Sequence, residues 1–295
     1  MAYLNGVDIS AYQSTIDIKA LDADFVIIKA TEGIDYKNRF MDEWAKEAIK
    51  NKKKLGFYHF ATNGKGAVEE ALFFWKAVKD YAGKAIFVLD YEADALKQGV
   101  DWAKRFLDYF YQLSGNRAFI YMSQSVTTSR DWTKVAKDYP LWAAAYPNTL
   151  PTKYYMPKKL SSVGAWKGET IRQYSSNGKV KYYSGALDLD IFYGSRSKWD
   201  SYTKIDKKTA SGRYYYSLYP VSLPIRGYFK KGDSSDKVRK LQRAMNAVVN
   251  TNLFMDGIYG PKTEQAVKDF QKKYKLVVDG EFGRKSLAKY KSLKY

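Results

Sequence analysis

Eight short apolar runs recur between residues 6 and 192, separated by polar turns or amphipathic stretches, and this alternation constrains the fold more than any compositional figure. The runs are Gly6–Ile9, Phe25–Ala30, Lys54–Phe60, Lys84–Tyr91, Ala118–Met122, Leu141–Tyr146, Ile171–Tyr174 and Leu187–Phe192. They are continuously apolar rather than alternating, as strands covered on both faces are. Helix-period stretches at Asn38–Asn51, Gly66–Asp80 and Val100–Leu113, with a weaker one around Asp131–Asp138, fall between them. Strand–helix alternation predicts parallel strands joined by right-handed crossovers. Eight strands in roughly 200 residues predict an α/β fold, a compact TIM-like (β/α) barrel with few or short helices after the fifth strand. An open doubly wound sheet is the runner-up, but no GxGxxG follows any strand, so nucleotide binding has no support.

The chain has 295 residues, enough for a large domain plus a small one. It contains no cysteine, which removes disulfides, thiolate nucleophiles and Cys-ligated zinc, and a single histidine, His59. One histidine excludes His-His-carboxylate zinc sites and allows a Ser-His-Asp triad at one place only, so no metal and no cofactor are expected and carboxylates are left to do the chemistry. No apolar run approaches a membrane span. The start, MAYLNGVDIS, lacks the layout of a signal peptide.

The net charge of +19 is unevenly spread. Residues 1–203 hold 29 basic and 23 acidic side chains, whereas residues 204–295 hold 21 and 8. The basic last third suits a polyanionic partner such as nucleic acid, an anionic wall polymer or a phospholipid surface. Between Lys204 and Ile225 the sequence mixes Lys, Ser, Thr, Gly and two prolines without lasting periodicity. We therefore expect a barrel at 1–203, a connector at 204–225 that carries the tyrosine run Tyr214–Tyr216, and a small helical domain at 226–295.

Functional residues of such barrels lie at the C-terminal ends of the strands. Asp8 closes the first strand, Lys29 the second, Tyr58 and His59 the third, and Asp90 and Glu92 the fourth. Tyr121, Tyr146 and Gln173 close the next three, and Asp188 and Asp190 lie in the eighth. In Asp90–Tyr91–Glu92 the two acids are two residues apart, so both face the mouth while Tyr91 faces away. Close carboxylates repel when both are ionised, which leaves a proton donor beside an anion near neutral pH, as glycosidases require. An isolated Asp-x-Glu is more often an acidic strand end paired with basic residues. Asp8 and Asp188 on the same rim tip the balance toward a site. These converged acids would repel phosphate, which argues against nucleic acid. His59, set between aromatic residues, reads as a hydrogen-bonded core residue.

The segments GVDISAYQ (6–13), FVIIKATEG (25–33), GFYHFA (56–61), FVLDYE (87–92), IYMS (120–123), LWAAAYP (141–147), IRQYSSNGKV (171–180) and LDLDIFYG (187–194) resemble, in order and spacing, family 25 glycoside hydrolases, the Ch-type lysozymes or N-acetylmuramidases. The resemblance implies an irregular, flattened (β/α) barrel that hydrolyses the β-1,4 bond from N-acetylmuramic acid to N-acetylglucosamine in peptidoglycan. It implies Glu92 as general acid, with Asp90, Asp8 and Asp188 as the other acidic positions around the scissile sugar. Tyr58, Tyr121, Tyr146, Gln173 and Lys29 follow as substrate-binding candidates. Asp190 falls where many relatives carry Asn and is secondary.

GDSSDKVRKLQRAM (232–245), MDGIYGPKTEQAVKDFQKKYKL (255–276) and VDGEFGRKSL (278–287) resemble the small helical peptidoglycan-binding domains. The repeated Asp-Gly-x-aromatic-Gly units read as tight turns, each ahead of a helix opened by a Thr or Ser. The layout resembles a bacteriophage endolysin made in the host cytoplasm and released to the wall. A bacterial autolysin and a non-catalytic wall-binding protein are the alternatives.

Overall fold

The computed structural model describes residues 2–206, 219–249, 251 and 253–293. The chain divides into two compact units, Met1–Ala210 and Ser211–Tyr295. The tyrosine run Tyr214–Tyr216, with most of the connector expected at 204–225, lies outside the described residues.

The first unit opens with β1 (Leu4–Ile9), β2 (Phe25–Glu32), β3 (Tyr36–Lys37) and α1 (Met41–Lys50). Then come β4 (Lys54–Phe60), α2 (Ala67–Val78), β5 (Ala85–Asp90), α3 (Val100–Ser114) and β6 (Phe119–Ser123). Two short helices, α4 (Gln124–Ser129) and α5 (Thr133–Ala136), precede β7 (Leu141–Ala144), β8 (Ile171–Gly178), β9 (Leu187–Phe192) and α6 (Arg196–Thr203). The order β1-β9-β8-β7-β6-β5-β4-β2, with β1 paired back onto β2, closes an eight-stranded barrel, and β3 is a short hairpin partner of β2.

Each expected strand is present, but not all are parallel. β9 runs antiparallel to both β8 and β1. The segment 179–186 between β8 and β9 is shorter than the dozen or more residues of a parallel crossover, so the chain must turn back on itself. The expectation of parallel strands throughout is corrected there. β3 and helices α4 and α6 are additions to the expected set.

The barrel interior holds Phe25, Ile27, Ile86, Val88, Phe119, Ile171 and Phe192, and Trp199 from α6 packs among them. Its ring lies 4.7 Å from that of Phe25 and 5.1 Å from that of Phe192. Burying each such side chain contributes about 1.5–3 kcal/mol. Gly6 is required beside them, because a Cβ there would sit 2.3 Å from the Phe25 ring. Outside the barrel, Phe74 of α2 and Phe106 and Phe110 of α3 stack against one another and cover Phe87 of β5.

The second unit contains α7 (Asp236–Val249), α8 (Pro261–Lys273) and α9 (Arg284–Lys291). Val238, Leu241 and Met245 face its core, together with Ala266, Val267 and Phe270. The two Asp-Gly turns are built alike around a buried glutamine. Gln242 donates to Asp256 Oδ1 (2.8 Å) and Ile258 O (3.0 Å) and accepts from Gly257 N (2.9 Å). Gln271 donates to Asp279 Oδ1 (2.6 Å) and Glu281 O (2.9 Å) and accepts from Gly280 N (2.9 Å). Gly257 and Gly280 have φ of 81° and 77°, which a residue with a Cβ rarely adopts. The helices after these turns are capped by Gly260 and Gly283 rather than by a Thr or Ser. Thr263 and Ser286 sit three residues further in, buried.

Candidate active site

A cavity of about 340 Å³ opens at the barrel mouth. Asp8, Asp90, Glu92 and Asp188 line it, as do Lys29, Tyr58, Tyr121, Tyr146 and Gln173. The strand register explains the convergence. Asp8 lies near the end of β1, directly opposite Asp188 near the start of β9. Because β9 is reversed, its beginning rather than its end reaches this rim. Asp90 ends β5 beside Tyr121 of β6, and Gln173 of β8 lies beside Ala144 of β7.

Asp90 and Glu92 both reach the cavity. Tyr91 between them is fully buried on the other side, where its hydroxyl donates to Gly99 O (2.7 Å) and its ring stacks on Trp102. Glu92 precedes a short 3-10 helix, and Ala93 after it takes a left-handed φ of 48°. A non-glycine residue there costs about 1–2 kcal/mol of backbone strain, held at the residue that turns Glu92 into the mouth.

A hydrogen-bond chain fixes one wall. Tyr121 (2.7 Å) and Tyr146 (2.5 Å) both donate their hydroxyls to Gln173 Oε1. The Gln173 amide nitrogen therefore faces Asp8 and donates to its Oδ2 at 2.6 Å. On another wall Lys29 lies 2.7 Å from Glu32 Oε2, over the Phe60 ring.

Burial and mutual repulsion dominate the electrostatics. Burial first, then the charge of Asp188, pushes Asp8 well above the usual carboxylate range, against the lowering effect of Gln173. Burial with Glu92 and Asp8 nearby does the same to Asp90. Burial, then Glu92, pushes Asp188 up to about 6. Burial raises Glu92, and Lys29 opposes that rise. Burial and the surrounding acids keep the Tyr58 and Tyr121 phenols protonated. One buried oxygen of Asp90, Oδ1, has no hydrogen-bond partner among the described residues.

Asp190, expected among the substrate-binding residues, is the one candidate that does not line the cavity. It is fully buried beneath the mouth and accepts from Trp142 Nε1 at 2.9 Å. Its position two residues beyond Asp188 on the reversed strand carries it down into the barrel. His59 is buried outside the cavity. Its Nε2 donates to Glu70 (2.8 Å) and its Nδ1 faces the Thr31 hydroxyl (2.8 Å), while burial lowers its basicity. Thr62 donates to the same Glu70 through both its amide and its hydroxyl, so this network anchors the loop after β4 to α2.

Ser10, Tyr12, Phe60 and Trp142 also line the cavity and escaped the sequence reading. Tyr12 is 94% exposed on a single turn held by Ser10 and Gln13, an open aromatic face beside the acids. An aromatic residue just past a strand end that bears an acid, as in Asp8-Ile-Ser-Ala-Tyr12, is the signal that would have found it. Among the described residues no group of three His, Asp or Glu side chains is arranged to hold a metal ion.

Residues 7–182 match the sequence profile of glycosyl hydrolases family 25. The chain belongs to that family. Residues 234–289 match a peptidoglycan binding domain. An autolytic lysozyme of Clostridium acetobutylicum is 28% identical over 95% of this chain and 76% of its own length. An N,O-diacetylmuramidase of Chalaropsis is 28% identical over 63% of this chain and 96% of its own. Among solved structures, the catalytic domain of endolysin ply40 from bacteriophage P40 of Listeria monocytogenes superposes with a TM-score of 0.56 at 26% identity. That match covers 68% of this chain and 98% of that one. The family 25 barrel here is thus a glycoside hydrolase of the lysozyme (muramidase) class, and peptidoglycan is its substrate. Among the described residues no helix is long and apolar enough to cross a membrane.

Proposed function

We propose that Glu92 is the general acid of this muramidase and that Asp90 orients the reacting N-acetylmuramic acid, with Asp8 and Asp188 completing the acidic mouth. The observation that carries this reading is the contrast between the two acids of Asp90–Tyr91–Glu92. Glu92 is half-buried, open to the cavity and raised by burial above an ordinary glutamate, which favours its acid form and suits it to deliver a proton. Asp90 is buried, with one oxygen still free to accept a hydrogen bond from substrate. In the sequence of events we favour, Glu92 protonates the glycosidic oxygen as the bond to the sugar's C1 breaks. The acetamido carbonyl oxygen of the same sugar closes onto C1 while Asp90 accepts the acetamido N–H. Water then opens that ring and returns its proton to Glu92.

The second unit tethers the barrel to the wall and raises its local concentration on an insoluble substrate. Its basic surplus adds attraction to anionic wall polymers, and that attraction weakens as salt rises. The modular layout and the likeness to a phage endolysin's catalytic domain support a protein made in a host cytoplasm and released to the wall at lysis. A bacterial autolysin of the same chemistry is the second reading. The Clostridium autolytic lysozyme, which aligns across both units, favours it.

Mass spectrometry of borohydride-reduced products from purified peptidoglycan tests the bond. New reduced ends on muramic acid are expected. Reduced ends on glucosamine would reassign the cleavage.

A further inference from the structure

We propose that Asp190 is a positioning residue that works as a neutral carboxylic acid, donating its proton in a hydrogen bond to Asp8 and fixing the Asp8 carboxyl in place at the mouth. The strand register places Asp190 opposite Gly6 on β1 and Gln173 on β8. Gly6 has no side chain, so the neighbouring side chain from β1 is Asp8, and the two carboxyls are within hydrogen-bonding reach. Asp190 Oδ1 already accepts the Trp142 indole N–H, while its buried Oδ2 meets no donor among the described residues. An ionised Asp190 would leave that oxygen unpaired against a second carboxylate. A proton on Oδ2 removes both penalties and turns it into a donor.

Asp8 is the natural acceptor of that proton's hydrogen bond. With the Gln173 amide oxygen accepting both tyrosine hydroxyls, its N–H donates to one oxygen of Asp8. The hydroxyl of Asp190 supplies a second donor. The charged and titratable groups around Asp190 are Asp8 from β1, Asp188 on its own strand, Tyr174 of β8, and Tyr146 and Tyr154 from the segment after β7. None of these is a cation. Burial and the two neighbouring acids together keep the proton on Asp190.

This inference rests on the reading that Asp8 takes part in the reaction, and the test separates the two. Asp190→Asn offers an amide N–H to Asp8 and a carbonyl to Trp142. Asp190→Val offers neither. On peptidoglycan at pH 7 the full chain bearing Asp190→Asn should keep at least about a tenth of the wild-type rate. Asp190→Val should fall a further tenfold or more. The infrared C=O stretch of a protonated carboxyl at pH 7 should lose one group in Asp190→Asn relative to wild type. Equal rates for the two variants, or an unchanged protonated-carboxyl band, would overturn the proposal. Asp8→Asn at the wild-type rate would instead remove Asp8 from the reaction and leave the band to report on Asp190.

Discussion

In the second unit the buried amides of Gln242 and Gln271 donate and accept at every turn they touch, whereas at the barrel mouth Asp90 keeps a buried oxygen without a donor among the described residues. Both units bury polar side chains, but to different ends. The glutamines bond to both sides of their turns and lock them, so they act as structure. The mouth crowds carboxyls together with Lys29 as the one cation lining the described cavity, and leaves part of their hydrogen-bonding capacity for a sugar. Perturbed acids in a cleft mark a functional site, whereas saturated polar groups mark a scaffold.

The largest expected effect breaks the comparison on the catalytic side. Glu92→Gln should cut the hydrolysis rate by about 10²–10⁴-fold. Its thermal midpoint should not fall, because a carboxyl held above its ordinary range is lost with it. Full activity would remove Glu92 from its role. On the scaffold side, Gln271→Ala strands a buried amide N–H and a carbonyl and should destabilise the second unit by about 2 kcal/mol. Wall binding should drop while the rate on soluble glycan fragments holds. Gln242→Ala should behave alike, and a loss of fragment hydrolysis in either variant would blur the division between the units.

Asp188 sharpens the contrast through pH. Its folded pKa of about 6 lies above the ordinary value of 3.8, so the folded state binds more protons than the unfolded one. That contribution is fully present below the ordinary value and is lost as pH rises to about 6. Asp188→Asn should therefore raise the thermal midpoint by about 2–4 °C at pH 7 and by nothing at about pH 3. An equal gain at both values would place the effect in packing rather than charge. The smallest expected effect belongs to Lys29→Met. Removing this cation lets Glu92 and Asp90 rise further, so the alkaline limb of the rate profile should move up by less than about one unit. A downward move would contradict the electrostatic assignment.

Much of the barrel was legible because doubly covered strands must be continuously apolar, and β4 and β9 match the expected bounds at both ends. The same-face spacing of Asp90 and Glu92 was legible for the equally local reason that strand side chains alternate. The reversal of β9 was not, because strand direction is set by the length of the connection and apolar runs read the same both ways. That reversal decides why Asp188 reaches the mouth and Asp190 does not. β3 is two exposed residues with no apolar signature. In the second unit the apolar helix faces were plain, but Gln242 and Gln271 look like surface residues until the turns fold over them.

The central claim is that the mouth holds Glu92 protonated where an ordinary glutamate has lost its proton. Carboxyl ¹³C resonances of glutamate-labelled full-length protein, titrated for wild type and Glu92→Gln, test it directly. The expected result is one glutamate that titrates above the ordinary value of about 4.3 and is missing from the variant. If every wild-type glutamate titrates at or below that value, Glu92 is an ordinary anion and cannot be the proton donor.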